Sequence, residues 1–300
     1  MPAPEGLVIA FVFFIRILCI LTMNRKGALC SMLYIVLPAY NEDEALPDLL
    51  EDIEQNCAPI PHQIVVVNDG STDRTLEVVQ DYARAHKNTN IHRVNHEQNQ
   101  GLGAALNSGF QYVLSLNENQ SNLEENKGYQ EQKVPDMLIT MDADNTQPAN
   151  CIPLLYKEIC SGADLVIASR YVQGGEQHGL SLGRRILSWG AGRVMHHFLP
   201  IPGVRDYSCG YRAYRLSILA QGTRLYGPNI IKSQNFSGMV ELLLKVAPFA
   251  EHVTEVPLKL HYELKKGASK MRIGATIWGY VQLIYQMRRK RWSTVEWVEE

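Results

Sequence analysis

The sequence predicts an α/β domain built on a doubly wound, mostly parallel sheet, and three observations predict it. Short apolar runs alternate along most of the chain with segments of helical apolar spacing. Polar turns, several bearing glycine, follow those runs, at the strand ends where such a sheet opens its ligand crevice. The 300 residues, 46% of them hydrophobic, are enough for one sizeable core. The balance of 29 basic against 31 acidic residues supplies no global basic field, which sets nucleic acid aside as a partner.

The first strand is YIVLPA, from Tyr34. NEDEALPDLLEDIEQN then places Leu46, Leu49, Leu50 and Ile53 on one helix face, and Asn41 with Glu44 three residues on matches a capping box. QIVVV (63–67) is the second strand; the turn NDGSTD and the helix RTLEVVQDYARAH follow it. NIHRVN is the third strand, and GLGAALNSGFQYVLSL is a helix opened by glycines. MLITM and DLVIAS (164–169) complete five strands, joined by right-handed crossovers. Residues 115–136, polar and acidic, form a surface insertion that lengthens one connection.

The ends of the chain differ from its middle. Residues 7–23, LVIAFVFFIRILCILTM, sit at the short edge of a membrane span of roughly 17–25 residues. Arg16 near their centre costs about 2.5–3.5 kcal/mol on insertion scales. No basic leader or small-residue cleavage site marks a secretory signal. Residues 1–31 are therefore an N-terminal hydrophobic extension or a membrane anchor. If they insert, Arg25 and Lys26 place the main domain, 32–272, in the cytoplasm. Residues 273–300 form an amphipathic C-terminal helix with a basic end at Arg288, Arg289, Lys290 and Arg291. It either lies in a membrane interface or docks on the core with that end solvated. The six scattered cysteines have no metal-like spacing and read as reduced packing thiols.

Chemistry concentrates at the strand ends. In DMLITMDADNTQP an apolar run closes on Asp142 and Asp144. Residues i and i+2 of an extended segment point to one side, so both carboxylates can reach one Mg²⁺ that also holds substrate phosphate oxygens. The alternative is an Asx-type turn, with Asp144 or Asn145 capping the helix near Pro148. Asp69-Gly70 can be a plain turn with Ser71 or Asp73 capping the next helix. GLG lacks the spacing of a dinucleotide fingerprint and follows the third strand rather than the first.

Taken in order, YIVLPAYNEDEAL, IVVVNDGSTDRT, NQGLGAALNSGF, LITMDADNTQP, DLVIASRYVQGG and VRDYSCGYRAYR resemble the family 2 glycosyltransferases of the GT-A (nucleotide-diphospho-sugar transferase) fold. Within that family the chain is most similar to the dolichyl/polyprenyl-phosphate mannosyltransferases and glucosyltransferases. The resemblance implies that 32–272 is the catalytic domain and that a hexose moves with inversion from GDP-mannose or UDP-glucose to polyprenyl phosphate. It implies that Pro38, Tyr40, Glu42 and Asp69 line the nucleotide pocket, and that Asp142 and Asp144 hold Mg²⁺ or Mn²⁺ on the donor diphosphate. It sets Ser169 and Arg170 against the donor sugar or the acceptor phosphate. Asp206, Gly210, Tyr211 and Arg212 fall in a further motif, and Lys270 in GASKMRIG matches another.

Arg170, Arg212, Arg215 and Lys270 are the cations that could receive a lipid phosphate. Such a nucleophile needs no general base. A sugar-hydroxyl acceptor would need one, for which Asp206 and Glu241 are candidates. The expected enzyme is a hexosyltransferase with its catalytic domain facing the cytosol, peripheral to or anchored in the membrane. The alternatives are a polysaccharide- or glycolipid-directed transferase and a non-catalytic sugar-nucleotide-binding subunit. Asn68, where many relatives carry Asp, and Tyr207 and Cys209 depart from the family pattern.

Overall fold

Helices cover both faces of the central sheet, so its inner strands are continuous Val/Ile/Leu runs rather than alternating ones. The structure, a computed structural model, describes residues 32–86, 89–125, 136–233, 237–266 and 273–293. The expected reading of residues 1–31 as extension or anchor lies outside them. Strand β1 (Leu33–Ala39) is buried along nearly its whole length. It pairs in parallel with β2 (His62–Asp69) on one side and β4 (Met137–Thr140) on the other. Beyond β2 lies β3 (Ile91–His96), also parallel. The second half of the sheet inserts β7 (Arg212–Arg215) antiparallel between β4 and β5 (Leu165–Ser169), and β8 (Val253–Pro257) runs parallel to β5. The full order is β3-β2-β1-β4-β7-β5-β8. A separate parallel pair joins β6 (Glu176–His178) to β9 (Lys259–His261).

The predicted mostly parallel sheet is what the chain forms, with β7 as its antiparallel member. Helices α1 (Leu46–Cys57), α2 (Thr75–Ala85), α3 (Leu102–Glu125) and α4 (Ile152–Cys160) connect the first five strands. Helices α5 (Leu182–Phe198), α6 (Leu216–Tyr226), α7 (Ser237–Val246) and α8 (Ile273–Ser293) follow. Gly109 lets α3 sit close to the sheet: a Cβ there would stand 2.6 Å from Val36 Cγ1.

Two local expectations are corrected. Asn41 does not cap α1, whose N-cap is Ala45 with no side-chain bond. Asn41 has φ 53°, and its Oδ1 accepts the Thr72 amide at 2.8 Å, tying the loop after β1 to the loop after β2. The insertion is not all loop either: α3 continues to Glu125, and 126–135 lie outside the described residues. Cys57, Cys151, Cys160 and Cys209 are free thiols, as expected. Burial pushes Cys57, Cys151 and Cys209 up to about 12, which leaves them inert packing groups.

Arg212, at the start of β7, is fully buried. Its Nη1 donates to Met239 O at 2.6 Å and its Nη2 to Tyr207 O at 2.7 Å, so the guanidinium joins β7, α7 and the loop before β7. Arg212→Leu removes both of these buried bonds and is expected to cost about 3 kcal/mol in urea unfolding. A loss under about 0.5 kcal/mol would show the buried guanidinium to be dispensable.

Candidate active site

At the carboxyl ends of β1, β2, β4 and β5 the loops diverge around a cleft of ≈ 490 Å³. The loop after β1 contributes Pro38, Tyr40 and Glu42. It is held by the loop after β2: Asn41 N donates to Ser71 Oγ at 3.0 Å, and Glu42 N to Thr75 Oγ1 at 2.9 Å. Asp73 Oδ2 accepts the Asp43 amide at 3.2 Å, and its Oδ1 accepts the Thr75 amide at 2.9 Å. Ser71 and Asp73 thus both bridge the two loops.

Asp69 ends β2 and lines the cleft. Its Oδ1 accepts Gln100 N at 2.9 Å and its Oδ2 accepts Gly101 N at 2.8 Å. Gly70 is required here: at φ 65° a Cβ would lie 2.3 Å from the Gln98 carbonyl carbon. The Asp69-Gly70 turn and the 98–101 loop therefore form one packed wall.

Asp142 and Asp144 meet in the same cleft. Asp142 Oδ2 accepts Gln147 Nε2 at 2.8 Å, and Gln147 Oε1 accepts the Asp142 amide at 2.9 Å. Asp144 Oδ1 accepts Thr146 N at 3.2 Å and Thr146 Oγ1 at 2.7 Å. That is the Asx turn the sequence allowed, and Asp144 Oδ2 is still left for a charged partner. The partner is Lys265, from the segment after β9. Lys266 beside it donates to Glu44 O at 2.8 Å, so the chain straps back over the loop after β1.

Burial and then the charge of Asp144 push the Asp142 carboxyl up to about 7. Burial disfavours the Lys265 ammonium, yet Asp144 beside it outweighs this and raises its pKa. The donor set fits a hard divalent cation: two adjacent carboxylates whose charge one lysine does not balance. Among the described residues no group of three or more His, Cys, Asp or Glu could hold a metal. Water and substrate oxygens would complete the shell, as suits Mg²⁺.

On the opposite side of the cleft Arg170 grips Asp206. Nε donates to Oδ2 and Nη2 to Oδ1, each at 2.7 Å. Asp206 is fully buried; desolvation raises its pKa, but the Arg170 charge together with the hydrogen bonds from Arg170 and Cys209 holds its carboxyl below the usual range. Its oxygens also accept the Ser208 and Cys209 amides, which shapes the loop before β7. Helix α5 adds Arg184 and Ser188 to the cleft, and α8 adds Thr276, Ile277 and Tyr280. Arg184 Nη1 donates to Tyr262 OH at 2.8 Å.

The structure thus gathers Pro38, Tyr40, Glu42, Asp69, Asp142, Asp144 and Arg170 in one cleft, with Gly210 at its edge. It does not gather the rest. Ser169 is fully buried and its Oγ accepts the Tyr171 amide at 3.2 Å. Tyr211 is buried with its hydroxyl on Pro148 O. Arg212 is spent on backbone carbonyls. Arg215 pairs with Met137, at the amino end of β4, and donates to Ala163 O, so it sits at the far end of the sheet. Glu241 is tied to Lys245 at 2.5 Å and lies outside the cleft. Lys270 lies outside the described residues. Gln147, Arg184 and Lys265 were missed. Only Gln147 had a local signal, its place directly behind the acidic pair.

The family described as "Glycosyl transferase family 2" matches this chain over residues 34–115 and 126–223. A dolichol-phosphate mannosyltransferase of Pyrococcus furiosus is 31% identical over 85% of this chain and 63% of its own length. A polyprenol monophosphomannose synthase of Mycolicibacterium smegmatis is 30% identical over 79% of this chain and 80% of its own. Among solved structures, glucosyl-3-phosphoglycerate synthase from Mycobacterium tuberculosis, crystallised with Mn²⁺, UDP-glucose and phosphoglyceric acid, superposes with a TM-score of 0.56. It shares 17% identity across 85% of this chain and 80% of that one. The likeness is one of fold, and the fold is GT-A.

Asp142 keeps its proton to about 7 in the folded chain, against an ordinary 3.8, so the folded state binds more protons between those limits. Stability of the chelator-treated protein is expected to fall as pH rises through that window and to level off above it. Asp142→Asn removes this contribution, so thermal melts of the two proteins should converge toward the acid end and separate toward neutrality, the variant melting higher. Parallel curves would show that Asp142 titrates normally.

Proposed function

The chain belongs to glycosyl transferase family 2, and from that premise we propose that it moves a hexose, mannose or glucose, from a nucleotide sugar to polyprenyl or dolichyl phosphate with inversion. Residues 32–272 are the catalytic domain in this reading. The names of the relatives, lipid-phosphate mannosyltransferases in three cases, support the acceptor class.

One observation carries the choice of acceptor: the two carboxylates weighed as a base, Asp206 and Glu241, are already closed on cations. A hydroxyl acceptor needs a base, and Asp206 is clamped by Arg170 while Glu241 is paired away from the cleft. A phosphate monoester is already a dianion near neutral pH, with a second pKa of about 6. It needs cations to receive it, and Arg170 and Arg184 line the cleft. Arg170 keeps its orientation because Asp206 takes Nε and one face of the fork, which leaves Nη1 for an incoming oxygen.

Asp142 and Asp144 would hold Mg²⁺ or Mn²⁺, which when bound neutralises the leaving nucleotide diphosphate. Gln147 fixes the Asp142 carboxylate, and Thr146 fixes that of Asp144. Lys265 would turn from Asp144 toward the diphosphate as the site fills. Pro38, Tyr40, Glu42 and Asp69 would border the nucleoside. Tyr280 and Ile277 of α8 would screen the reacting centre from water.

Membrane contact belongs to the same proposal. Among the described residues no helix is long and apolar enough to cross a membrane. Helix α8 exposes Ile277, Trp278, Val281 and Tyr285, which supports its lying on a membrane surface; in this reading the catalytic domain faces the cytosol.

With Mg²⁺, a polyprenyl phosphate and radiolabelled GDP-mannose or UDP-glucose, label is expected in the organic phase from one donor. Asp142→Asn should lower that transfer by on the order of a hundredfold or more. Donor hydrolysis without lipid label would redirect the reading to a carbohydrate acceptor. Metal binding requires the ionised Asp142, so calorimetric Mn²⁺ affinity should fall about tenfold per unit below about pH 7. An affinity flat between pH 5 and 7 would remove Asp142 from the metal site.

A further inference from the structure

Behind the nucleotide wall lies an arrangement the proposed mechanism does not use. β2 and β3 pair so that Asp69 and His96, at their last positions, stand side by side. His96 Nδ1 lies 2.7 Å from Asp69 Oδ1, and His96 Nε2 lies 2.9 Å from Ser108 Oγ, on α3. The His96 and Asp69 side chains are 8% and 4% exposed, so water does not compete for these bonds.

Asp–His–Ser in this order also describes a hydrolytic triad, but here it has no substrate. Neither His96 nor Ser108 lines the cleft; only Asp69 does. The chain of bonds therefore points outward, from the helix through the ring to the carboxylate. Asp69 accepts two backbone N–H groups, so it is the acceptor and His96 Nδ1 carries the proton. Ser108 then donates to Nε2 and fixes that tautomer.

Acceptor counting says what this achieves. A carboxylate has about four lone-pair positions. His96 and Gln100 N occupy Oδ1, and Gly101 N occupies one position on Oδ2. What remains is one acceptor position on Oδ2, at the cleft wall. An N–H on the edge of a nucleobase, such as uracil N3–H or guanine N1–H, matches it.

We propose that His96, backed by Ser108, is a positioning residue for nucleobase recognition: it locks the Asp69 carboxylate so that one lone pair faces the base. The role rests on the nucleotide-sugar reading of the cleft. Without the imidazole, Oδ1 loses a buried donor and only the Gln100 and Gly101 amides orient the Asp69 carboxylate. The diphosphate, which Asp142 and Asp144 would hold through a divalent ion, would be untouched.

The test is calorimetric titration with GDP, UDP and inorganic pyrophosphate, each with Mn²⁺, on the wild type, His96→Leu, His96→Asn and Ser108→Ala. His96→Leu is expected to weaken the preferred nucleoside diphosphate by on the order of tenfold and pyrophosphate by under about twofold. His96→Asn, whose amide can donate from near the Nδ1 position, should recover most of the loss; Ser108→Ala should show about a threefold loss. In transfer assays the donor KM should rise while kcat holds. Equal losses for pyrophosphate and nucleotide, or no loss in His96→Leu and Ser108→Ala, would overturn the role. A wild type that binds pyrophosphate as tightly as either nucleotide would remove the base from this cleft and overturn the nucleotide reading along with it.

Discussion

Two carboxylates one residue apart, set in a cleft at the end of a buried strand, are the constraint to which the rest of the site responds. Their repulsion grows as water leaves, and it is relieved only by protonation or by a cation. The folded chain supplies one ammonium, Lys265, and spends it on Asp144. Asp142 therefore holds its proton to about 7. A site meant only for stability would have closed this deficit with a second lysine or replaced an aspartate. Leaving it open costs stability near neutral pH, and a divalent ion of the kind proposed would close it.

Three other charge pairs show the opposite arrangement. Arg170 with Asp206, Lys245 with Glu241, and Arg215 with Asp164 each close on a partner within 3.3 Å. A closed buried pair is weak evidence for stability, but it orients its members. Asp206 does this for Arg170, and its remaining lone pairs order the loop at Ser208 and Cys209. The closed pairs orient their members, while the open pair is where the proposed divalent ion would bind.

How much of this could be read from the sequence follows from how local each cause is. The strands were legible because burial on both faces writes an unbroken apolar run, as in Tyr34–Leu37 and Ile64–Val67. The cleft residues on the strand-end loops were legible because the fold class says where strand ends converge. The arginines were not. Arg170, Arg212 and Arg215 look alike in sequence, and the register of β7 alone sends Arg215 to the far end of the sheet. Asn41 and Glu44 have capping spacing, but the positive φ at Asn41 turns its side chain to the neighbouring loop. Lys265 reaches Asp144 across 121 residues, and no periodicity encodes such a return.

The sheet order explains why the two walls of the cleft differ in kind. β1 is flanked by β2 and β4, so the chain departs from it in both directions and the loops after β1, β2 and β4 part around a crevice. One wall is built from those loops, with tight turns and the acids Glu42, Asp69, Asp142 and Asp144. The facing wall comes from late in the chain, where α5 and α8 add Arg184, Ser188, Thr276 and Tyr280 beside Arg170. Group transfer needs two substrates at one point, each held by groups that would bind the other poorly. In the proposed reading, an acidic wall that takes a cation-bearing donor, facing a wall with Arg170 and Arg184, meets that requirement. The bond exchange, in that reading, falls in this cleft, which Asp142 and Arg170 both line.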